Sequence, residues 1–342
     1  MRYLVTGGSG YFGALLRDRL LKNGKKVRVF DLVDTSDRPP EVELAQGDIR
    51  QLSNIEAACA DCSAVFHCVA QVPLAKDRHL FKSVNVDGTG NLLRAAKTAA
   101  VRKVVCVSSS AIFGAPKTNP VTEQTPPAPA EAYGRAKLEA EQLCQRFAAD
   151  GLDVTIIRPR TILGHGRLGI FQILFEWIRE GYNIPVLGRG DNLYQFVHAD
   201  DLADACLLSA ERMGPTVYNC GTDRFGTMRA SLEYLCLQAG TGSKVRSVPM
   251  APATWLMRLS NSLGLSPLGP DHALMYGRSL YFDISKARTE LGWAPRFSNE
   301  EMLLQSYRWY LEHRDDILNS HGSSHHRSAV KQGILSLVKR CL

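Results

Sequence analysis

The 342-residue chain contains no run of about 18 uninterrupted apolar residues, the length a membrane-spanning helix needs, so a soluble or peripheral protein is expected. Its nine cysteines are odd in number and scattered through stretches that read as helix and strand. No disulfide framework is expected, and a reducing, cytoplasmic compartment fits. Cys59 and Cys62 form a C-x-x-C pair, but neither a second pair nor a histidine cluster completes a zinc site, so a structural role is expected and no metal. Charge is not one-sided either. The 41 Lys and Arg stand against 34 Asp and Glu, and the +7 excess gathers partly near the carboxyl end, which makes nucleic acid an unexpected partner. There is no internal repeat, and only 319–327, NSHGSSHHR, reads as a polar linker. Met1 is followed at once by RYLVT, which reads as a first strand rather than as a signal peptide.

What is present is an alternation of short β-branched runs with longer helical patterns, the mark of parallel βαβ units. Strands are expected at 2–6, 26–31, 43–47, 64–68, 103–108 and 153–158, with helices at 11–22, 81–98 and 132–149. An α/β fold with a doubly wound parallel sheet follows. After Arg158 a helix is expected at 170–180, then a Gly-rich loop at 188–192. A brief return to the sheet is expected through strands at 194–198 and 216–220 around a helix at 201–211. The expected division is a sheet domain from 1–158 and 193–222, a smaller, mostly helical substrate lobe from 159–192 and 223–318, and a terminal segment, 319–342.

Directly after the first strand comes TGGSGYFG. Gly8-Ser9-Gly10-Tyr11-Phe12-Gly13 fits G-x-G-x-x-G, and Gly7, Gly10 and Gly13 fit a wider G-x-x-G-x-x-G spacing. Between a strand and a helix, such a turn lets a pyrophosphate approach backbone amides at the positive end of the helix. The second strand, VRVFD, ends in Asp31, about 20 residues on, where a carboxylate bonds ribose hydroxyls and repels a 2′-phosphate. NAD is therefore expected over NADP. Asp48 and Ile49 of the GDI run are placed for the adenine edge, and Ala70 for the nicotinamide-side ribose, by position alone.

The helix at 132–149 carries Tyr133-Gly134-Arg135-Ala136-Lys137, a spacing that stacks tyrosine and lysine on one face. A phenol, with a pKa of about 10, is a poor base at neutral pH, and a neighbouring ammonium favours its ionised form. Such a pair suits proton transfer with a substrate hydroxyl or carbonyl. The fifth strand ends in VSSSAIFG, and alternation along the strand selects Ser109 over Ser108 to bind the reacting oxygen, with Ser110 in reserve.

The blocks TGGSGYFG, GDI, FHCVA, NVDGTGNLL, VSSSAIFG, YGRAK, RPR, FVHADDLADA, YNCG and KARTELGWAP resemble, in order, those of the extended short-chain dehydrogenase/reductases, or NAD-dependent epimerase/dehydratase family, over about residues 1–315. The resemblance implies a Rossmann fold, catalytic roles for Ser109, Tyr133 and Lys137, support from Asn85, and Arg158 to Arg160 near the cofactor. It also implies a homodimer. The family spans sugar-nucleotide epimerases and dehydratases as well as 3β-hydroxysteroid and sterol dehydrogenases. VTEQTPPAPAEAYGRAKLEAE is similar to the former, GRGDNLYQFVHADDLADACLLSAE to the latter. Sugar-nucleotide members usually carry a diphosphate-clamping arginine where this chain has Gln195, and a second where Arg278 stands at a shifted spacing. The apolar stretch 248–275 resembles the membrane-facing region of sterol dehydrogenases. Val330, Ile334, Leu337 and Cys341 form a terminal stripe with Lys339 and Arg340 beside it, a candidate for peripheral contact with an anionic membrane surface. An NAD-dependent dehydrogenase oxidising a secondary hydroxyl on a sterol or lipid-like ring is expected, with a sugar-nucleotide epimerase as the alternative. Dehydration is disfavoured, since VSSSAIFG offers no carboxylate, and the intact Ser-Tyr-Lys set argues against a non-enzymatic scaffold.

Overall fold

Short β-branched runs form β1 (Arg2–Thr6), β2 (Lys26–Asp31), β3 (Glu43–Gln46), β4 (Cys62–His67), β5 (Lys103–Val107) and β6 (Val154–Pro159) in the computed structural model. The structure describes all residues except 73–78, 168, 254, 256, 258–275, 320–338 and 340–342. The apolar stretch 248–275 and the terminal stripe thus fall largely outside the described residues, as do the linker histidines. Beyond β6 come β7 (Thr161–Leu163), β8 (Ile184–Leu187), β9 (Leu193–Tyr194), β10 (Phe196–His198), β11 (Thr216–Cys220), β12 (Gly226–Thr227) and β13 (Val245–Val248). The described helices are α1 (Tyr11–Lys22), α2 (Leu52–Cys59), α3 (His79–Lys82), α4 (Gly88–Thr98), α5 (Ala132–Ala149), α6 (Phe171–Arg179), α7 (Ala199–Glu211), α8 (Met228–Ala239), α9 (Ser285–Leu291) and α10 (Asn299–Asn319).

Seven strands make one sheet in the order β11-β6-β5-β4-β1-β2-β3, with every pair parallel. A parallel sheet needs cover on both faces, which is why β6 is buried along its whole length and reads as a nearly continuous apolar run. One core packs around α1 and α7, and another around α2, α4 and α5 on the other side. The strand order reverses between β1 and β4, and the crevice at the carboxyl ends there is where open α/β sheets take ligands.

Helix α1 starts at Gly10, buries Phe12, Leu16 and Leu20 at four-residue spacing, and stops at Asn23 and Gly24, the glycine at φ +68°. Arg19 and Lys22 in its last turn suit the negative end of the helix dipole. Helix α5 buries Ala136, Ala140 and Cys144, small side chains that let it lie close to the sheet.

A third core joins α6, α8 and α10. Phe175 packs between Tyr307 and Tyr310, with ring centroids 5.7 and 5.9 Å away, and its full burial contributes about 2 kcal/mol. Glu176 bonds Arg179, Arg314 and the Tyr310 hydroxyl, tying α6 to α10. Burial alone would raise its pKa; these bonds outweigh burial and hold it well below the usual carboxylate range.

Three local expectations change. The helix expected at 81–98 is α3 and α4 joined by a π turn at Ser83–Asp87. The strand expected at 194–198 is two strands, neither in the main sheet: β9 pairs antiparallel with β12, and β10 pairs parallel with β7. Gln195 breaks it, its side chain donating to the Thr222 carbonyl at 2.7 Å and accepting from the Phe282 amide at 2.9 Å. Finally, α2 sits where no helix was expected, its eight residues burying only Ile55, Ala58 and Cys59.

Candidate active site

A cavity of about 510 Å³ opens along the carboxyl ends of β1, β2, β4, β5 and β6, lined by the glycine turn, the loop ends of those strands, and Tyr133 and Lys137 of α5. Gly7, Gly10, Tyr11, Phe12, Gly13, Asp31, Asp48, Ile49 and Ala70 all line it, as does Ser109. Asn85 and Arg158 are not among the lining residues.

The turn is drawn tight by main-chain bonds from the Gly7 amide to the Phe30 carbonyl, 2.8 Å, and from the Gly10 amide to the Gly7 carbonyl, 3.0 Å. Gly7 sits at φ +72°, and a Cβ there would stand 2.9 Å from the Val69 amide nitrogen. A Cβ on Gly13 would stand 2.1 Å from the Gly7 oxygen. Only glycine lets α1 begin this close to the turn, and that closeness makes the cradle a pyrophosphate requires. Asp31, at the end of β2, accepts from the Ser9 amide at 3.0 Å and the Leu32 amide at 2.8 Å. Burial pushes its pKa up, against backbone bonds from Ser9, Leu32 and Val33 that pull it down. A shielded carboxylate one strand from the glycine turn suits ribose hydroxyls, so these residues fit NAD. Asp48 is gripped by Arg50, whose hydrogen bonds hold its pKa below the usual value. Asn85 lies in the π turn and stitches the loop after β4, accepting from the Gln71 amide at 2.7 Å and donating to the Gln71 carbonyl at 3.0 Å. It acts on the cavity through Gln71, which does line it.

The three serines follow the end of β5 at Val107, and all three line the cavity, with different partners. Ser108 is buried and donates to Glu141, and Ser110 is buried and accepts from Arg160 at 2.7 Å. Ser109 is half-buried and takes only the Ala111 amide, at 3.1 Å. The Lys137 ammonium donates to the Val107 carbonyl at 2.9 Å, which anchors it at the end of β5 beside the serines. One turn before it on α5, the Tyr133 ring meets Phe81 edge-on at 6.0 Å. His67, below the cavity, is pushed down to about 3 by burial and the nearby Lys137 charge, and its ring bridges Thr6 and Thr89 as a neutral spacer.

Arg158, expected near the cofactor, does not itself line the cavity. Its guanidinium is buried against Glu141 at 2.6 Å and reaches the Glu123 carbonyl, while Pro159 and Arg160 line the cavity. A buried guanidinium held by a buried carboxylate is a structural pair. Three residues not singled out from the sequence line the cavity beyond β6: Thr161, Ile162 and Arg167, the last with its guanidinium 5.4 Å over the Tyr11 ring. The arginine in GHGR was the available signal, but nothing in its spacing ties it to the glycine turn. His165, His198 and Asp200 also come within 4.8 Å of one another, where no metal was expected. Both His198 ring nitrogens already have partners, Gln305 and the Asp200 amide, so the group serves as the cap of α7.

Residues 3–221 match the model of the NAD dependent epimerase/dehydratase family. The chain is 52% identical over 99% of its length to an uncharacterized protein, y4nG, of Sinorhizobium fredii, covering 86% of that protein. It is 30% identical to a UDP-glucose 4-epimerase of Lactobacillus helveticus, covering 92% of this chain and 98% of that one. It is likewise 30% identical to a 3β-hydroxysteroid dehydrogenase/Δ5→4-isomerase of Mycobacterium tuberculosis, over 96% of each. Among solved structures, a UDP-glucose 4-epimerase from Thermotoga maritima with UDP-glucose superposes with a TM-score of 0.77 at 25% identity, covering 91% of this chain and 99% of that one. With a glycine turn, an acidic end to β2 and Y-x-x-x-K on α5, the chain belongs to the NAD-dependent epimerase/dehydratase family of extended short-chain dehydrogenase/reductases and is an NAD-dependent oxidoreductase.

Proposed function

We propose that this enzyme is a dehydrogenase that oxidises a secondary hydroxyl to a ketone on a ring substrate of sterol or lipid type. The observation that carries the reading is the shared cavity wall of Ser109, Tyr133 and Lys137. Bound NAD supplies the hydride acceptor. Tyr133 takes the hydroxyl proton, Ser109 holds the reacting oxygen, and Lys137, fixed by the Val107 carbonyl, presents its charge to the tyrosine side of the wall. Gly7, Gly10 and Gly13, with Tyr11 and Phe12, would hold the pyrophosphate end, and Asp31 the adenosine ribose.

The substrate side favours a dehydrogenase over a nucleotide-sugar enzyme because of Gln195. Its amide is consumed by Thr222 and Phe282, so this one position, where sugar-nucleotide members usually carry a clamping arginine, contributes packing and no cation. Similarity to the mycobacterial 3β-hydroxysteroid dehydrogenase over nearly the whole chain supports the same class. The second reading, a sugar-nucleotide epimerase that returns the hydrogen to the opposite face, is supported by the lactobacillar and thermotogal epimerases.

The two separate on cofactor retention. The purified protein is dialysed extensively and denatured, and the released NAD and NADH are measured. Empty protein that rebinds NAD reversibly is the expected result, followed by NAD reduction on sterol alcohols. Close to one dinucleotide per chain would overturn the dehydrogenase reading in favour of the epimerase.

A further inference from the structure

Buried arginines in this molecule follow a rule. Arg17 ends on Asp18, Arg28 on Glu43 and Arg158 on Glu141. A guanidinium taken out of water needs such a countercharge, because desolvation costs several kcal/mol when the ion is left unpaired. Arg160 departs from the rule. It is 2% exposed and lines the cavity, and its one hydrogen-bonded nitrogen, Nη1, meets a neutral hydroxyl, Ser110. Its Nε and Nη2 make no hydrogen bond of normal geometry, and the nearest polar relief is the neutral Tyr194 hydroxyl. The cation stands over the Tyr194 ring at 4.8 Å and the Phe282 ring at 5.8 Å, contacts that offset only part of the cost of burial.

Arg167, half-buried on the same cavity, is a second cation of this kind. Its guanidinium lies over the Tyr11 ring, it meets no carboxylate among the described residues, and it is close enough to Tyr133 for the two to interact electrostatically. Tyr276 is a common electrostatic neighbour of both cations. Among the described residues the substrate side of the cavity thus holds two positive groups without a paired acid, one beside Ser110 and the other on the Tyr133 side.

From this arrangement we infer that Arg160 and Arg167 recognise an oxyanion on the substrate, a carboxylate or a phosphate carried close to the reacting hydroxyl. The inference rests on the reading of Ser109 and Tyr133 as the reacting wall, and it narrows the substrate to an acidic ring alcohol. An oxyanion there supplies the countercharge that the other buried arginines find within the chain.

The test uses the full chain saturated with NAD, with binding read by calorimetry. The probes are cyclohexanecarboxylate, its uncharged amide, and UDP. The expected result is saturable binding of cyclohexanecarboxylate, none of the amide, and a loss of at least about tenfold in affinity in Arg160→Met. Arg160→Lys, which keeps the charge, guards against a variant that fails to fold and should retain most of the binding. Preferred binding of UDP, lost in the same variant, would keep the oxyanion site and make its source a nucleotide diphosphate. Failure of both anions to bind, or equal binding by wild type and Arg160→Met, would overturn the inference. In Arg167→Met, a fall in NAD affinity would take that residue out of the substrate site and give it to the cofactor. Because NAD affinity is measured first, a protein that never binds NAD fails the proposed function and not the anion site.

Discussion

On the cofactor side of the cavity the chain works with backbone: a turn so tight that only glycine fits it, and one carboxylate fixed by main-chain amides. On the substrate side it works with long charged side chains, Arg160 and Arg167, set among aromatic rings. The first plan suits a ligand that never changes, since backbone geometry leaves little room for variation. The second suits a ligand that differs between relatives, because a side chain is replaced without disturbing the sheet. The sharpest way to test this division is to damage each side separately and ask whether the other notices.

The largest effect is expected at the reacting wall between them. Tyr133→Phe removes the hydroxyl and leaves the ring against Phe81, so turnover should fall by about 10²- to 10⁴-fold with NAD affinity unchanged. Stopped-flow NAD reduction with a parallel NAD titration checks both halves of the statement. Turnover within a factor of a few of wild type would remove Tyr133 as the acid/base. Next comes Gly13→Ala, which forces a methyl group to within 2.1 Å of the Gly7 carbonyl oxygen. Helix α1 must retreat from the turn, and NAD affinity should drop on the order of 100-fold, about 2.7 kcal/mol. An unchanged dissociation constant would mean that the turn is not where the dinucleotide binds. Asp31→Asn is milder: it keeps the shape and loses the charge. The preference for NAD over NADP should narrow by about tenfold, mainly through better NADP binding.

These expectations were open to sequence reasoning because they depend on local rules. The strand-turn-helix at 2–22, the acidic end of β2 and the tyrosine-lysine spacing on α5 each follow from neighbours within a few residues, and the predicted bounds of α1, β2 and α5 match the fold. Strand alternation does not reach the three serines, which lie past the end of β5 and all line the cavity; what distinguishes Ser108 and Ser110 is their bonds to Glu141 and Arg160. What could not be read depends on partners far along the chain. Arg158 belongs to Glu141, 17 residues before it, and Gln195 belongs to Phe282, 87 residues after it. The same YQFVH run that reads as one strand is split because the Gln195 side chain fills bonding positions of two distant backbones. Arg160 was expected only near the cofactor, and Arg167 was not singled out, for a related reason: neither meets a carboxylate among the described residues, and a sequence does not show which acids come near.

The smallest expected effect on NAD binding comes from a lesion buried entirely in the second lobe. Glu176 joins α6 to α10 through Arg314 and Tyr310, far in the fold from the glycine turn. Its folded-state pKa lies below the unfolded value, so its stabilising contribution is present above the ordinary glutamate range, near 4.3, and is lost as pH falls through the folded pKa. Glu176→Gln should therefore lower the melting temperature at pH 7 by an amount equivalent to about 2 kcal/mol. The difference from wild type should shrink as both are taken into acid. NAD affinity should stay within a factor of about two, since a uniform, backbone-built cofactor site does not depend on how tightly the substrate lobe is clasped. If NAD binding weakens in step with the melting temperature, the two sides of the cavity fold as one cooperative unit. The contrast between them would then describe chemistry alone and not separable construction.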